Sequence, residues 1–233
     1  MKIEILQLIE GAKKAEGLTV IIDVFRAFTL EAYMFAGGVT RIYPVGKCEA
    51  AYQLKEQHSD WILAGERGGA ILPGFDIGNS PSELHRLDLM DKTVVHTTSA
   101  GTQGVDNASG ATEILGASLV NARATAEYIR KSGAEKVSLV CMGLAGLEET
   151  DEDTLCARYI KAILEGKEDS IEMQKEIEKL KQTSGAKFFD ETQESVFPRA
   201  DFALCTDVDK FNFVMRLADK NTQLGYMEKV EGK

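Results

Sequence analysis

The chain has 233 residues, a net charge of −10 and a hydrophobic content of 44%, enough for one substantial core. The negative charge argues against nucleic acid or an anionic membrane as a general partner, and no apolar run approaches the roughly 20 residues needed to cross a bilayer. Cys48, Cys141, Cys156 and Cys205 form no Cys-x-x-Cys pair, and the N-terminal residues lack a signal-peptide apolar region, so a reduced, cytoplasmic protein is expected.

Taken in chain order, residues 18–22 are apolar except for Thr19 and end at Asp23, a pattern that suits a strand buried on both faces. Residues 28–36 read as a helix closed by Gly37-Gly38. Residues 39–45 read as a second strand, 48–58 as a helix and 61–64 as a third strand. Residues 64–81 follow, with five glycines in eighteen positions against 21 in the whole chain. Ser80 is read as an N-cap, with Pro81 at the first helical position and Glu83 completing a capping box. Residues 93–98 and 113–117 read as strands, Asn121 as the cap of a helix closing at Gly133, 136–140 as a strand and 141–146 as a loop. This alternation predicts an α/β fold, a largely parallel or mixed sheet with helices on both faces. From Asp151 the pattern turns helical. Residues 165–233 are expected to be a helical extension of one 1–233 domain, with 170–181 a surface helix or mobile excursion and 228–233 a frayed tail.

Four polar clusters fall at predicted strand ends. Asp23 can bind a metal, attack as a nucleophile or cap a helix, and Arg26 can hold an anion. In the glycine-rich stretch, Glu66 can ligate a hard cation through oxygen, Arg67 can clamp an oxyanion in bidentate fashion, and Gly68 and Gly69 permit close backbone approach. Thr97, Thr98, Ser99, Gly101 and Thr102 can present backbone N–H groups to an anion. Cys141 and Gly143 open the fourth cluster, with Cys141 either a thiolate nucleophile or a small buried hydrophobe. The acidic run from Glu148 to Asp153 either compensates a helix dipole or supplies metal ligands. His58, His85 and His96 are not spaced as a metal site.

Ile22-Asp23-Val24-Phe25-Arg26-Ala27, Gly65-Glu66-Arg67-Gly68-Gly69, Gly74-Phe75-Asp76-Ile77-Gly78-Asn79-Ser80-Pro81, Thr97-Thr98-Ser99-Ala100-Gly101-Thr102 and Glu152-Asp153, in this order, resemble the 2-phosphosulfolactate phosphatase family. The likeness is good over residues 1–160 and thin over 165–233, apart from an acidic and aromatic helical end around Asp201 to Phe213. It implies an α/β homodimer that uses Mg²⁺ to hydrolyse (2R)-2-phospho-3-sulfolactate, a small anionic phosphorylated substrate, on the route to coenzyme M. Within that expectation Asp23, Glu66 and Asp153 are the metal candidates. Arg26, Arg67, Gly68, Gly69, Asn79, Ser80, Thr97, Thr98, Ser99, Gly101, Thr102 and Gly143 are the substrate-side candidates. Attack by Asp23, by Cys141 or by water on the metal remains open at this level.

Overall fold

The computed structural model describes residues 1–220 and 224–231. The chain begins with β1 (Lys2–Gln7), α1 (Leu8–Lys14), β2 (Gly17–Ile22), α2 (Ala27–Ala36), β3 (Arg41–Pro44) and α3 (Cys48–Gln57). A hairpin of β4 (Ile62–Arg67) and β5 (Ala70–Ile71) comes next, then β6 (Thr93–Thr97), α4 (Gly101–Asn107), β7 (Ala111–Ala117), α5 (Ala122–Ser132) and β8 (Lys136–Cys141). The remainder is α6 (Asp151–Glu165), α7 (Met173–Leu180), α8 (Arg199–Cys205), β9 (Phe213–Ala218) and β10 (Tyr226–Glu231).

The strands form one sheet in the order β1-β8-β2-β7-β9-β10-β3-β6-β4-β5. Strands β1, β8, β2 and β7 are parallel to one another, as are β3, β6 and β4. An antiparallel seam of β9 and β10 joins the two blocks. Ile22 of β2 pairs with both Ala117 and Cys141, so the ends of β2, β7 and β8 are level and their following loops emerge together.

Alternation along β2 sends its residues to different layers. Ile21 packs with Phe28, Met34, Ile42 and Val94 on the α2 side, while Val20 and Ile22 pack with Ile129, Ile160 and Phe188 under α5 and α6. Both faces of the central strands are therefore covered, as the predicted α/β fold requires. Phe28 is wholly buried against Gly116, where a Cβ would sit 2.5 Å from its ring.

Several local expectations are corrected. The N-terminal β1 and α1 are additional elements. Residues 81–86 form a 3₁₀ turn (Pro81–Arg86), and Ser80 makes no capping bond; its hydroxyl donates to Asp201 Oδ1 at 3.0 Å. Asn121 stands at the N-cap of α5, but its Oδ1 reaches back to accept the Ser118 N–H at 3.0 Å. Gly133 closes that helix at φ 69° as expected. Of the two alternatives for 170–181, the surface helix is observed: α7 is anchored by buried Leu180 and by Ile177, which packs on the core. The C-terminal third is helical through α8, after which β9 and β10 complete the sheet; residues 228–231 lie in β10, and 232–233 fall outside the described residues. Among the described residues, no helix is long and apolar enough to cross a membrane.

Candidate active site

Asp23 is the first residue past β2 and is 6% exposed. Its Oδ1 accepts the Ala27 N–H at 3.0 Å, which ties it to the first turn of α2. Gly101 packs so closely that a Cβ there would lie 2.9 Å from Asp23 Oδ2. Burial, reinforced by the like charges of Glu66 and Glu152, raises the Asp23 pKa to about 6. The cause is the poor solvation of a carboxylate inside the protein beside two others.

Glu66 belongs to the β4–β5 hairpin, whose turn is Gly68-Gly69 with φ of 60° and 86°. Two successive positive φ values fit a two-residue hairpin and favour glycine at both positions. The turn folds back so that Gly69 N–H donates to Glu66 Oε2 at 2.6 Å. Across from it, the Ser99 N–H donates to Oε1 at 2.7 Å and the Ser99 hydroxyl to Oε2 at 3.2 Å. Glu66 thus fastens the hairpin to the loop after β6.

Arg26 is 3% exposed and forms an ion pair with the wholly buried Asp201 of α8 at 2.8 Å. Asp201 Oδ1 also accepts the Ser80 hydroxyl and the Ser82 N–H, the latter at 2.9 Å. The pairing satisfies both buried charges and fixes the guanidinium. The Phe197 ring covers Arg26 at 4.9 Å.

These groups surround a cavity of about 140 Å³ whose walls include Asp23, Arg26, Glu66, Gly68, Gly69, Asn79, Ser99, Gly143, Glu152, Lys187 and Phe197. It is well below the roughly 300–1,000 Å³ of drug-sized sites, so it suits a compact anion. Arg26, Gly69 and Asn79 also wall a neighbouring cavity of about 220 Å³. A larger cavity, of about 400 Å³, lies by Lys47, Asp106 and Lys220. Asp106 there is engaged by the Gly46 N–H at 3.0 Å, and no cluster of carboxylates gathers among its described residues. The buried carboxylates and the fixed guanidinium therefore gather at the smaller, acidic cavity, which makes it the candidate site.

The remaining sequence candidates are placed elsewhere. Arg67 follows Glu66 in one strand, so its side chain leaves by the opposite face. It donates to Gly46 O at 3.0 Å and Thr97 Oγ1 at 2.9 Å and does not line the acidic cavity. Thr98 and Thr102 bond each other, with Thr98 N–H to Thr102 Oγ1 at 2.9 Å and Thr102 N–H to Thr98 Oγ1 at 3.2 Å. Gly101 supports Asp23 from behind. Ser80 is engaged by Asp201. Cys141 is buried and donates weakly to the Asp153 carbonyl at 3.4 Å, and burial pushes its thiol pKa up, away from thiolate chemistry.

Asp153, the metal candidate of the acidic run, does not line the cavity, whereas its neighbour Glu152 does. Asp153 accepts Val24 N–H at Oδ1 and Gly143 N–H at Oδ2, each at 2.8 Å, and joins the ends of β2 and β8. Glu152 lines the cavity and its buried Oε2 has no hydrogen-bond partner. Burial raises the pKa of both carboxyls. One residue of helix turns a side chain by about 100°, so which of two adjacent acids faces the cavity depends on how α6 packs. Lys187 and Phe197, on the cavity wall, lie in no motif, and Asp201 falls only at the start of the acidic and aromatic stretch around 201–213, with no sign in the sequence that it pairs with Arg26.

The donor set fits Mg²⁺. Asp23 and Glu152 offer carboxylate oxygens to one cavity, the orphaned Glu152 Oε2 lacks a partner, and Asn79 Oδ1 on the same wall lacks one too. Among the described residues no group of three or more His, Cys, Asp or Glu side chains forms a metal cage. Mg²⁺ needs none, since it is commonly held by one or two carboxylates with water and substrate phosphate.

Parallel strand ends that gather buried carboxylates and a fixed guanidinium about a small cavity define an α/β enzyme working on a compact anion. Known proteins narrow the class. The family model for 2-phosphosulpholactate phosphatase matches residues 3–220. A Bacillus subtilis protein named "Probable 2-phosphosulfolactate phosphatase" is 32% identical over 202 residues, 86% of each chain. Proteins of the same name from Carboxydothermus hydrogenoformans and Caldicellulosiruptor saccharolyticus are 41% and 39% identical over 138 and 150 residues, covering 57% and 61% of their lengths. The chain belongs to the 2-phosphosulfolactate phosphatase family of phosphoric monoester hydrolases.

Proposed function

We propose that this protein is a Mg²⁺-dependent phosphatase that hydrolyses (2R)-2-phospho-3-sulfolactate to 3-sulfolactate and phosphate, as a cytoplasmic homodimer serving coenzyme M synthesis. The observation that carries the chemistry is the convergence of Asp23, Glu66, Glu152 and Arg26 on one cavity. Family membership suggests the substrate, and four free cysteines accord with a reducing compartment.

Asp23 and Glu152 would hold Mg²⁺. When bound, the ion supplies a Lewis acid that offsets charge on the phosphoryl group. Arg26, oriented by Asp201, contributes fixed positive charge to the same oxygens. Without metal, burial beside Glu66 and Glu152 raises the Asp23 pKa to about 6; beside a bound cation it would fall, favouring the charged carboxylate that ligation needs, so the proton of the attacking water would pass to solvent. The new O–P bond forms as the bond to the sulfolactate oxygen breaks, and that oxygen leaves with the proton it needs from solvent. Glu66 and Asp153 would also act as positioning residues, since their oxygens accept the backbone and Ser99 donors that hold the strand-end loops together.

Phosphate release from phosphosulfolactate, phospholactate and phosphoglycerate in the presence of Mg²⁺ tests the reading. The highest kcat/KM is expected with phosphosulfolactate. A preference for either other ester would refute the substrate assignment alone, and no release from any of the three would refute the activity.

A further inference from the structure

The cations that the motifs bring to the strand ends are largely committed. Arg26 is matched by Asp201 at 2.8 Å, and Arg67 is turned towards Gly46 and Thr97. The walls of the acidic cavity nevertheless carry three carboxylates, Asp23, Glu66 and Glu152. A multiply charged anion entering there needs a further positive group to offset that field.

Lys187 is on the same wall. It belongs to the 3₁₀ turn Ala186–Phe189, which wholly buried Phe188 pins to the core between α7 and α8. Three aromatic rings flank its ammonium: Phe197 at 5.1 Å, Phe188 at 5.6 Å and Phe25 at 5.9 Å. The rings attract the cation through their faces without neutralising it. Among the described residues no hydrogen bond or close ion pair engages Lys187, and its charge partly offsets the rise that burial causes in the Glu152 carboxyl on the same wall. Its three N–H donors are therefore available to a ligand. Phe197 also packs on Gly69, where a Cβ would lie 2.5 Å from the ring, so the segment that carries Lys187 is seated directly against the Gly68-Gly69 turn.

We propose that Lys187 is a substrate-binding residue that donates to an oxyanion group of the ligand, and that the segment between α7 and α8 completes the cavity by supplying it. The assignment rests on the phosphatase reading for the identity of the ligand, and on the cavity geometry for the role of the residue. Lys187→Met keeps the stem that packs on the rings and removes the charge, Lys187→Gln keeps a polar donor without charge, and Lys187→Arg keeps the charge.

Isothermal calorimetry with inorganic phosphate and, separately, with 3-sulfolactate in the presence of Mg²⁺ reads the two ends of the substrate. Loss of one charge-assisted hydrogen bond corresponds to about 10–100-fold weaker binding. That loss is expected for at least one of the two ligands in Lys187→Met and Lys187→Gln, with melting temperature unchanged and binding largely restored in Lys187→Arg. The KM for phosphosulfolactate should rise by a similar factor, with kcat changed only a few-fold. Unaltered affinity for both ligands in both uncharged variants overturns the proposal, as does failure of the wild type to bind either one at millimolar concentration. Wild-type binding that Lys187→Met weakens, without turnover of phosphosulfolactate, would strike the phosphatase reading and uphold the role of Lys187.

Discussion

Asp23 is an ionisable group held where its charge is poorly solvated, and its stability effect has a definite sign. Its folded pKa of about 6 lies above the ordinary 3.8, so the folded state binds the proton more tightly than the unfolded state. Stability of the metal-free protein should fall as pH rises from about 4 to about 6, with the full cost present above that window. A difference of that size between folded and unfolded pKa corresponds to roughly 3 kcal/mol. Asp23→Asn keeps the bond from Ala27 and removes the charge. It should raise the melting temperature at pH 8 while reducing phosphate release at least about 1,000-fold, the scale expected when a central catalytic group is lost. A lower melting temperature would contradict this account of the residue. The adjacent acids separate by phenotype. Glu152→Gln should weaken Mg²⁺ binding at near-normal stability. Asp153→Ala should cost about 2–4 kcal/mol in denaturant unfolding because two buried N–H groups lose their acceptor. At this scale the sequence points to the strand ends where the buried carboxylates gather, but not to side-chain direction. Glu66 and Arg67 are neighbours in the motif, yet the strand period sends them to opposite faces, and glycine density alone does not distinguish a hairpin from a loop.

Among the elements, the short helix α8 ties distant parts of the candidate site together. It supplies Asp201, 175 residues from Arg26, and binds both the α2 entrance and the loop before Pro81. Asp201→Ala leaves a buried guanidinium unpaired, and a loss of about 3–5 kcal/mol is expected from the denaturation midpoint; Asp201→Asn should lose less because it retains an acceptor. Legibility follows burial. Strands β2 and β8 are readable because strands covered on both faces are largely apolar runs, and β6 because it is rich in β-branched residues. The edge strand β1 interleaves Lys2 and Glu4, and β10 interleaves Glu228 and Lys229, so neither presents such a run. Residues 186–197 fold as short turns about Phe188, whose burial depends on partners from β2, α6 and α8 that no local pattern reveals.

In the whole molecule, two parallel blocks depend on a seam made last in the chain. Truncation after Lys210 removes β9 and β10 and exposes the edges of β7 and β3. Loss of a single cooperative unfolding transition, with aggregation, is expected from calorimetry and light scattering. The net charge of −10 disfavours a polyanionic substrate everywhere except where cations are focused, so activity is expected to depend on the local set of Mg²⁺, Arg26 and Lys187. The most direct measurement is phosphate release from (2R)-2-phospho-3-sulfolactate by the wild type and Asp23→Asn, each with Mg²⁺ and after exhaustive chelation. Release is expected only from the wild type with Mg²⁺, through the site at Asp23. Equal release after chelation, or from Asp23→Asn, would contradict the account.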